Sequence, residues 1–342
     1  MLVYIDDLLL FSSSASLRSD FAALISERFS MKDLGRTRKA LGMDFSQDLE
    51  AGKLKLSLQS YFEGVEERCK VSPSDKQDTP VTRKMAAECE HASPTDLEVQ
   101  DCLAEYTVAT GIVIFAASSV RADCGFAAHF MSRYMHRPGP VHVRMARRAL
   151  GYFVSTKGHG LEYDGSGNVS GGITMEARSK NDPECVDVSR PIGASDSNHD
   201  VKPSLTAYVF MLAGAAVVWM CRLQKVSSIS SSESEFYSLS SCVAMSVHLR
   251  NMVEELGFAM DGPMQILCDS RGARMLAVHA RSTPRTRHIH RRWFFVSHYD
   301  KAGKIQVTQV SSDDNWSNIL TKPLGVSVFQ NDRSRLGVRN TW

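Results

Sequence analysis

The spacing of apolar residues changes several times along the chain, and each change predicts an element. Residues 1–12, MLVYIDDLLLFS, carry apolar runs on either side of Asp6 and Asp7, which predicts a hairpin with the two acids at its tip. Leu17, Phe21, Leu24, Ile25 and Phe29 then recur at helical spacing. Leu54, Leu56 and Leu58 alternate as a strand that passes into an amphipathic helix near Tyr61. Prolines, charges and small residues from Ser72 to Glu98 predict a linker. From Leu103 to Tyr163 the pattern is helical again, with one helix through TVATGIVIFAASSV and another through VHVRMARRALGYFVS. The Gly-, Ser- and Asp-rich stretch from Asp164 to Pro191 predicts a second separating segment.

Beyond it the runs shorten. AYVFMLAG, AVVWMC and VSSIS read as three successive strands, and Ser232 as the cap of a helix that carries Glu235 and ends near Gly257. MQILCD is a buried strand ending on Asp269, followed by a short helix, a basic loop, a helix with Trp293 and Phe294, the strand KIQVTQV and a last helix near Ile319. Strands and helices in this order predict an α/β (α+β) fold with a mixed sheet.

Composition narrows the function classes. A chain of 342 residues, 43% apolar and 23% charged, has room for two or three ordinary domains. Lys plus Arg total 40 against 38 for Asp plus Glu, so no broad basic field announces nucleic-acid binding and any such contact must come from local patches. Eight dispersed cysteines with no C-x-x-C pair argue against a zinc ribbon and a disulfide framework, and fit an intracellular location, cytoplasm or nucleus. The longest apolar run, Tyr208 to Cys221, is too short for a membrane span and has a glycine in its middle, so no membrane helix, signal peptide or membrane partner is expected.

Candidate chemistry lies in the acids. Asp196, Glu235 and Asp269 fall on three separate elements that converge if the first and fourth strands of the sheet are neighbours. Three such carboxylates would bind hard divalent cations, and two Mg²⁺ ions about 4 Å apart would serve phosphodiester hydrolysis. The competing reading makes each acid a surface charge or a helix cap, and spacing does not decide between them. Asp6 and Asp7 are likewise either a solvated turn or a cation site. Arg281 to Arg292 holds five arginines and two histidines. Of these, Arg285, Arg287, His288, Arg291 and Arg292 are the candidate phosphate contacts, against the reading of a simply hydrated loop. Trp219, Trp293 and Tyr208 read as core, not as base-stacking platforms.

The blocks YIDDLLLFS, MKDLGRTRKALGMDF, LSLQSYFEGVEERCKV, FMSRYMHRPGPVHVRMARRALGYFVSTKGHGLEY, SSISSSESEFYSLSSC, CDSRGARMLAVH, RTRHIHRRWFF and NILTKPL occur in an order that resembles the C-terminal part of copia-type LTR retrotransposon Pol polyproteins, the end of the reverse transcriptase and the ribonuclease H after it. The resemblance implies a reverse transcriptase palm and thumb remnant followed by a ribonuclease H-like domain. It makes Asp196 the first ribonuclease H acid, Glu235 the ligand of SSSESEF with Glu233 its exposed neighbour, and Asp269 the third acid. Asn318, in SNILTK, stands where the family has a fourth acid. Asp313 and Asp314, a few residues upstream, are candidates to compensate; Asn198, His199 and His290 also depart from the family pattern. Asp6 and Asp7 match the polymerase Y-V-D-D hairpin, and Leu41 and Gly42 the primer-gripping segment. The family's remaining polymerase acid comes from an upstream strand, so the chain is expected to be N-terminally truncated and without DNA synthesis.

The expected organisation is a palm hairpin and thumb remnant at 1–82, a linker at 83–102, a helical thumb or connection segment at 103–163, a linker at 164–185, a ribonuclease H-like domain at 186–329 and a tail at 330–342. The expected function is a retrotransposon-derived reverse transcriptase/ribonuclease H fragment with residual endonuclease activity on the RNA strand of RNA/DNA hybrids, using two Mg²⁺ or Mn²⁺ ions. The alternative is a catalytically inactive nucleic-acid-binding remnant or a pseudogene product.

Overall fold

The computed structural model describes residues 1–12, 14–71, 77–165, 190–199, 203–225, 227–279 and 290–341. Strands β1 (Leu2–Tyr4) and β2 (Asp7–Leu9) form the expected hairpin, with Tyr4 opposite Asp7 and Ile5–Asp6 at the tip. Helix α1 (Ala15–Ser26) follows, capped by the Ser14 hydroxyl, and buries none of its residues, so Leu17 and Leu24 lie exposed. Strands β3 (Lys39–Ala40) and β4 (Met43–Asp48) are joined by Leu41 and Gly42, both in left-handed backbone at φ 52° and 78°. Two such residues suit a tight hairpin turn. A Cβ on Gly42 would stand 3.2 Å from the Phe115 ring, a second reason for glycine there.

Strand β5 (Lys53–Ser57) and helix α2 (Gln59–Arg68) follow as expected. Helices α3 (Arg83–Glu90), α4 (Asp96–Ser119), α5 (Gly125–Ser132) and α6 (Pro140–Ser155) come next, then β6 (Gly160–Asp164). The expected linker at 83–102 is therefore corrected: it is α3 and the start of α4. The Thr82 hydroxyl accepts from the Met85 N–H, and Thr95 and Glu98 form a reciprocal capping box, signals that the polar composition of this stretch concealed. Helix α4 is also long and apolar enough to cross a membrane, which Tyr208–Cys221 is not. Its apolar residues are interspersed with polar ones, and it buries Tyr106, Ile112, Val113 and Ala116.

The second half contains β7 (Ile192–Asn198), β8 (Leu205–Leu212), β9 (Ala215–Leu223), α7 (Ser231–Glu255), β10 (Met264–Cys268), α8 (Arg271–His279), α9 (His290–Lys301), β11 (Ile305–Gln309), α10 (Val326–Arg335) and β12 (Val338–Arg339). Its sheet has the order β11-β10-β7-β8-β9, antiparallel from β7 through β9 and parallel from β7 through β11. This is the mixed, ribonuclease H-like sheet expected, with first and fourth strands adjacent. Its first strand, however, is β7, whereas residues 227–230 of VSSIS are not a strand. β7 lacks an apolar alternation because it is the central strand and needs small residues: a Cβ on Gly193 would lie 2.7 Å from the Phe210 ring and 3.2 Å from Cys242 Sγ.

A second sheet, β12-β6-β5-β4-β3, is antiparallel throughout. It corrects the expected tail at 330–342, since β12 pairs with β6 while Leu336 and Val338 are buried. The separating segment expected at 164–185 lies outside the described residues beyond residue 165, with Asp164 ending β6. One continuous apolar core runs from Phe62, Tyr106 and Phe153 to Ala194 and Val209 of the mixed sheet, and on to Ile319 and Leu336. A second core, with Phe236, Leu239, Ile266 and Val296, lies under α7 to α9. Trp219 Nε1 on β9 donates to the Ala117 carbonyl of α4 at 2.6 Å, which joins the two halves again.

Within the first core Arg121 and Asp123 are a fully buried ion pair at 2.8 Å, and the Tyr152 hydroxyl donates to Asp123 at 2.6 Å. Burial pushes the Asp123 carboxyl upward, but the Arg121 charge and hydrogen bonds outweigh it and hold Asp123 below the usual range. Asp123→Asn would leave Arg121 charged, buried and uncompensated. Urea unfolding is expected to show a loss of about 3–5 kcal/mol; a loss under about 1 kcal/mol, the level of a surface pair, would contradict the role given to this pair.

Candidate functional site

The parallel pairing of β10 with β7 sets Cys268 opposite Ser195, so Asp269, the next residue, emerges beside Asp196. Helix α7 lies across β7 and β8 and brings Glu235 from above. Its start is held at several points. Ser230, not Ser232, is the N-cap, its hydroxyl accepting from the Glu233 N–H. The Glu233 carboxylate reaches back to accept from the Ile229 N–H at 2.8 Å. Glu233, expected to be exposed, is 5% exposed, because this reciprocal cap draws it into the fold. Gln224 at the end of β9 donates to the Ser234 carbonyl at 3.0 Å and so ties the first turn to the sheet.

The outcome is a cluster: carboxylate oxygens of Asp196, Glu235 and Asp269 all lie within 4.8 Å of one another. Asp196 is buried, and the other two are half-buried. Burial raises the Asp196 carboxyl above the ordinary range and the Asp269 charge raises it further, while the Thr321 hydroxyl, the Lys322 charge and the Ser197 N–H oppose the rise. Glu235 is raised more strongly, first by burial and then by the charges of Asp196 and Asp269. Hydrogen bonds from the Ser197 side chain and backbone oppose this rise without cancelling it. Three carboxylates that repel one another, offering oxygen atoms alone, are a donor set suited to a hard divalent cation.

Asn318 lies on a 3₁₀ turn, Trp316–Leu320, buried at 7% exposure. Its amide nitrogen donates to the Ser312 carbonyl, and its Oδ1 is buried without a partner. Asp313 and Asp314 are not members of the carboxylate cluster: Asp314 accepts from the Ser311 hydroxyl at 2.8 Å and lies 3.7 Å from Arg335. His199 places Nδ1 between the Ser204 and Ser228 hydroxyls at 3.1 and 3.3 Å. Asp6 and Asp7 are exposed on the hairpin, and the carboxylate cluster does not include them.

Among the cationic candidates, Arg285, Arg287 and His288 lie outside the described residues, and Arg291 is exposed. Arg292 is pinned to α7, donating to the Ser240 hydroxyl at 2.6 Å and lying 4.8 Å from the Tyr237 ring centre. Sequence reasoning missed Thr321, whose hydroxyl donates to Asp196 Oδ2 at 2.5 Å. Its only signal was membership of the NILTKPL block.

The raised Glu235 carboxyl has a defined sign. The metal-free protein binds more protons than the unfolded chain here, so this contribution to stability is full below the ordinary glutamate range and is lost as pH rises through the elevated folded value. Glu235→Gln is therefore expected to raise metal-free stability by about 1–3 kcal/mol at about pH 8 and by much less at about pH 5. Thermal unfolding in chelator at both pH values is the check, and an equal change at both would contradict the repulsion described.

Residues 1–83 match a family model for reverse transcriptase (RNA-dependent DNA polymerase). The Retrovirus-related Pol polyprotein from transposon TNT 1-94 of Nicotiana tabacum is 26% identical across 99% of this chain, which covers 24% of that protein. The corresponding polyprotein from transposon RE1 of Arabidopsis thaliana is 28% identical across 99% of this chain and 21% of its own length. A putative transposon Ty5-1 protein of Saccharomyces cerevisiae is 27% identical over 70% of this chain and 71% of its own length. The chain thus spans about a quarter or less of the two Pol polyproteins. Matched over 99% of its length by such relatives, and over residues 1–83 by the reverse transcriptase family model, the chain is similar to a fragment of the copia-type retrotransposon Pol polyproteins.

Proposed function

We propose that the chain is a divalent-metal-dependent nuclease of ribonuclease H type that cuts the RNA strand of RNA/DNA hybrids. The observation that carries this reading is the convergence of Asp196, Glu235 and Asp269 at the end of the mixed sheet. Those three would hold the Mg²⁺ or Mn²⁺. Such ions supply activation of a water and stabilisation of the leaving oxygen in phosphodiester hydrolysis.

The chain's own residues provide the frame. Glu235 is fixed in height by the capped first turn of α7, and Asp196 is fixed in rotation by the Thr321 hydroxyl. Arg292, held by Ser240 and Tyr237, presents a cation along α7, and Arg291 stands exposed beside it, both suited to backbone phosphates. Among the described residues the cysteines are free, which suits a reducing compartment, cytoplasm or nucleus. A second reading, a nucleic-acid-binding protein without catalysis, draws on Asn318, which brings no charge where the family has an acid.

A labelled RNA/DNA hybrid assayed with Mg²⁺ and with Mn²⁺ separates the two. Cleavage is expected, and Asp269→Asn is expected to reduce it by about 100-fold or more, in line with loss of a group that steadies the transition state. Hybrid binding that weakens with salt, with no product above the Asp269→Asn background, would instead establish the non-catalytic reading. Asn318→Asp offers an independent check. It removes the donor to the Ser312 carbonyl and adds a buried acid, so metal-free stability is expected to fall by about 1–3 kcal/mol. The metal concentration needed for half-maximal cleavage is expected to drop, and an unchanged metal titration would overturn the assignment of residue 318 to the site.

A further inference from the structure

The turn Trp316–Leu320 and the residue after it join the helical half of the molecule to the carboxylate cluster. On one side, Trp316, Ile319 and Leu320 are buried in the first core. Helix α5 starts directly against them, so closely that a Cβ on Gly125 would stand 2.7 Å from Leu320 Cδ2. On the other side the residues that flank the turn, Asn315 and Thr321, grip β7 at three places. Asn315 Nδ2 donates to the Ser195 carbonyl at 2.9 Å, the Thr321 hydroxyl donates to Asp196 Oδ2 at 2.5 Å, and the Thr321 carbonyl accepts from Asn198 Nδ2 at 3.1 Å.

Thr321 is fully buried, and its hydroxyl also lies 3.1 Å from the Asn318 carbonyl. One hydroxyl proton serves one strong bond, and the charged carboxylate is the better acceptor. The torsion that rotates an aspartate carboxyl has a broad minimum, so an isolated Asp196 would not present its oxygens in one orientation. We propose that Thr321 is a positioning residue for Asp196, and that through it packing in the first core sets the geometry of the cation site. The proposal rests on the reading of Asp196, Glu235 and Asp269 as that site. A hydroxyl that merely satisfied a buried polar group would affect folding; one that orients a ligand affects the affinity of the ligand set in protein that is folded.

The test is calorimetric titration of Mn²⁺ into the full chain, well below the unfolding temperature, for the wild type and for Thr321→Val, Thr321→Ser and Glu235→Gln. Thr321→Val keeps the shape and removes the donor. Its Mn²⁺ dissociation constant is expected to rise about 10-fold or more, the usual effect of losing a partner that orients a metal ligand, while Thr321→Ser stays within about 3-fold of wild type. Circular dichroism establishes that each variant is folded. If Thr321→Val does not fold, Thr321→Cys, which keeps a weak donor, is expected to fall between the serine variant and a 10-fold loss. Valine or cysteine variants that bind Mn²⁺ as tightly as wild type, with Glu235→Gln binding lost, would overturn the positioning role and leave the cation site standing. Wild type and Glu235→Gln titrating alike would overturn the site itself and this inference with it.

Discussion

Asp196, Glu235 and Asp269 repel one another, and the molecule is built so that they cannot move apart. Asp196 lies within β7 and Asp269 just past the end of the adjacent parallel strand β10, in a register fixed by backbone hydrogen bonds, and Glu235 projects from a helix whose start is capped and tied to the sheet. Burial first, and the neighbouring carboxylate charges after it, drive the proton affinities of both Asp196 and Glu235 upward. A site that stores electrostatic cost in this way is relieved by a divalent cation. That trade of metal-free stability for a binding function is a common one.

The frame that holds the acids is larger than the sheet that carries them. The first core runs without a break through α4, α6, one face of the mixed sheet and the C-terminal elements, and β12 closes the other sheet by pairing with β6. Near the site this continuity has a specific form: the 3₁₀ turn before Thr321 is buried among helical residues on one side and bonded to β7 on the other. The opposite face, under α7 to α9, supplies Arg292 through Tyr237 and Ser240. The carboxylate cluster is therefore shaped from both cores.

Much of this was legible in the sequence, and the failures have physical causes. Alternating Leu54 and Leu56 marked β5, although its buried positions are Lys55 and Ser57, and helical spacing marked α4 and α6, which each bury one side. Strand β7 escaped because it is central and packed so tightly at Gly193 that small residues replace the apolar alternation a half-buried strand shows. The cap of α7 was placed two residues late, since the three successive serines Ser230 to Ser232 make equal candidates and only the reach of Glu233 to Ile229 selects Ser230. Capped helices at 83–102 were hidden by polar composition, and β12 by its two-residue length. The three acids were found through their order in the chain, but their meeting, and the hydroxyl of Thr321 behind Asp196, are products of tertiary packing.

The most direct test of the central claim is an anomalous-scattering map from crystals of the protein grown or soaked with Mn²⁺. A peak in contact with carboxylate oxygens of Asp196, Glu235 and Asp269 together is the predicted result. Well-diffracting crystals in which those three carboxylates hold no Mn²⁺ at saturating concentration, or turn away from one another, would contradict it.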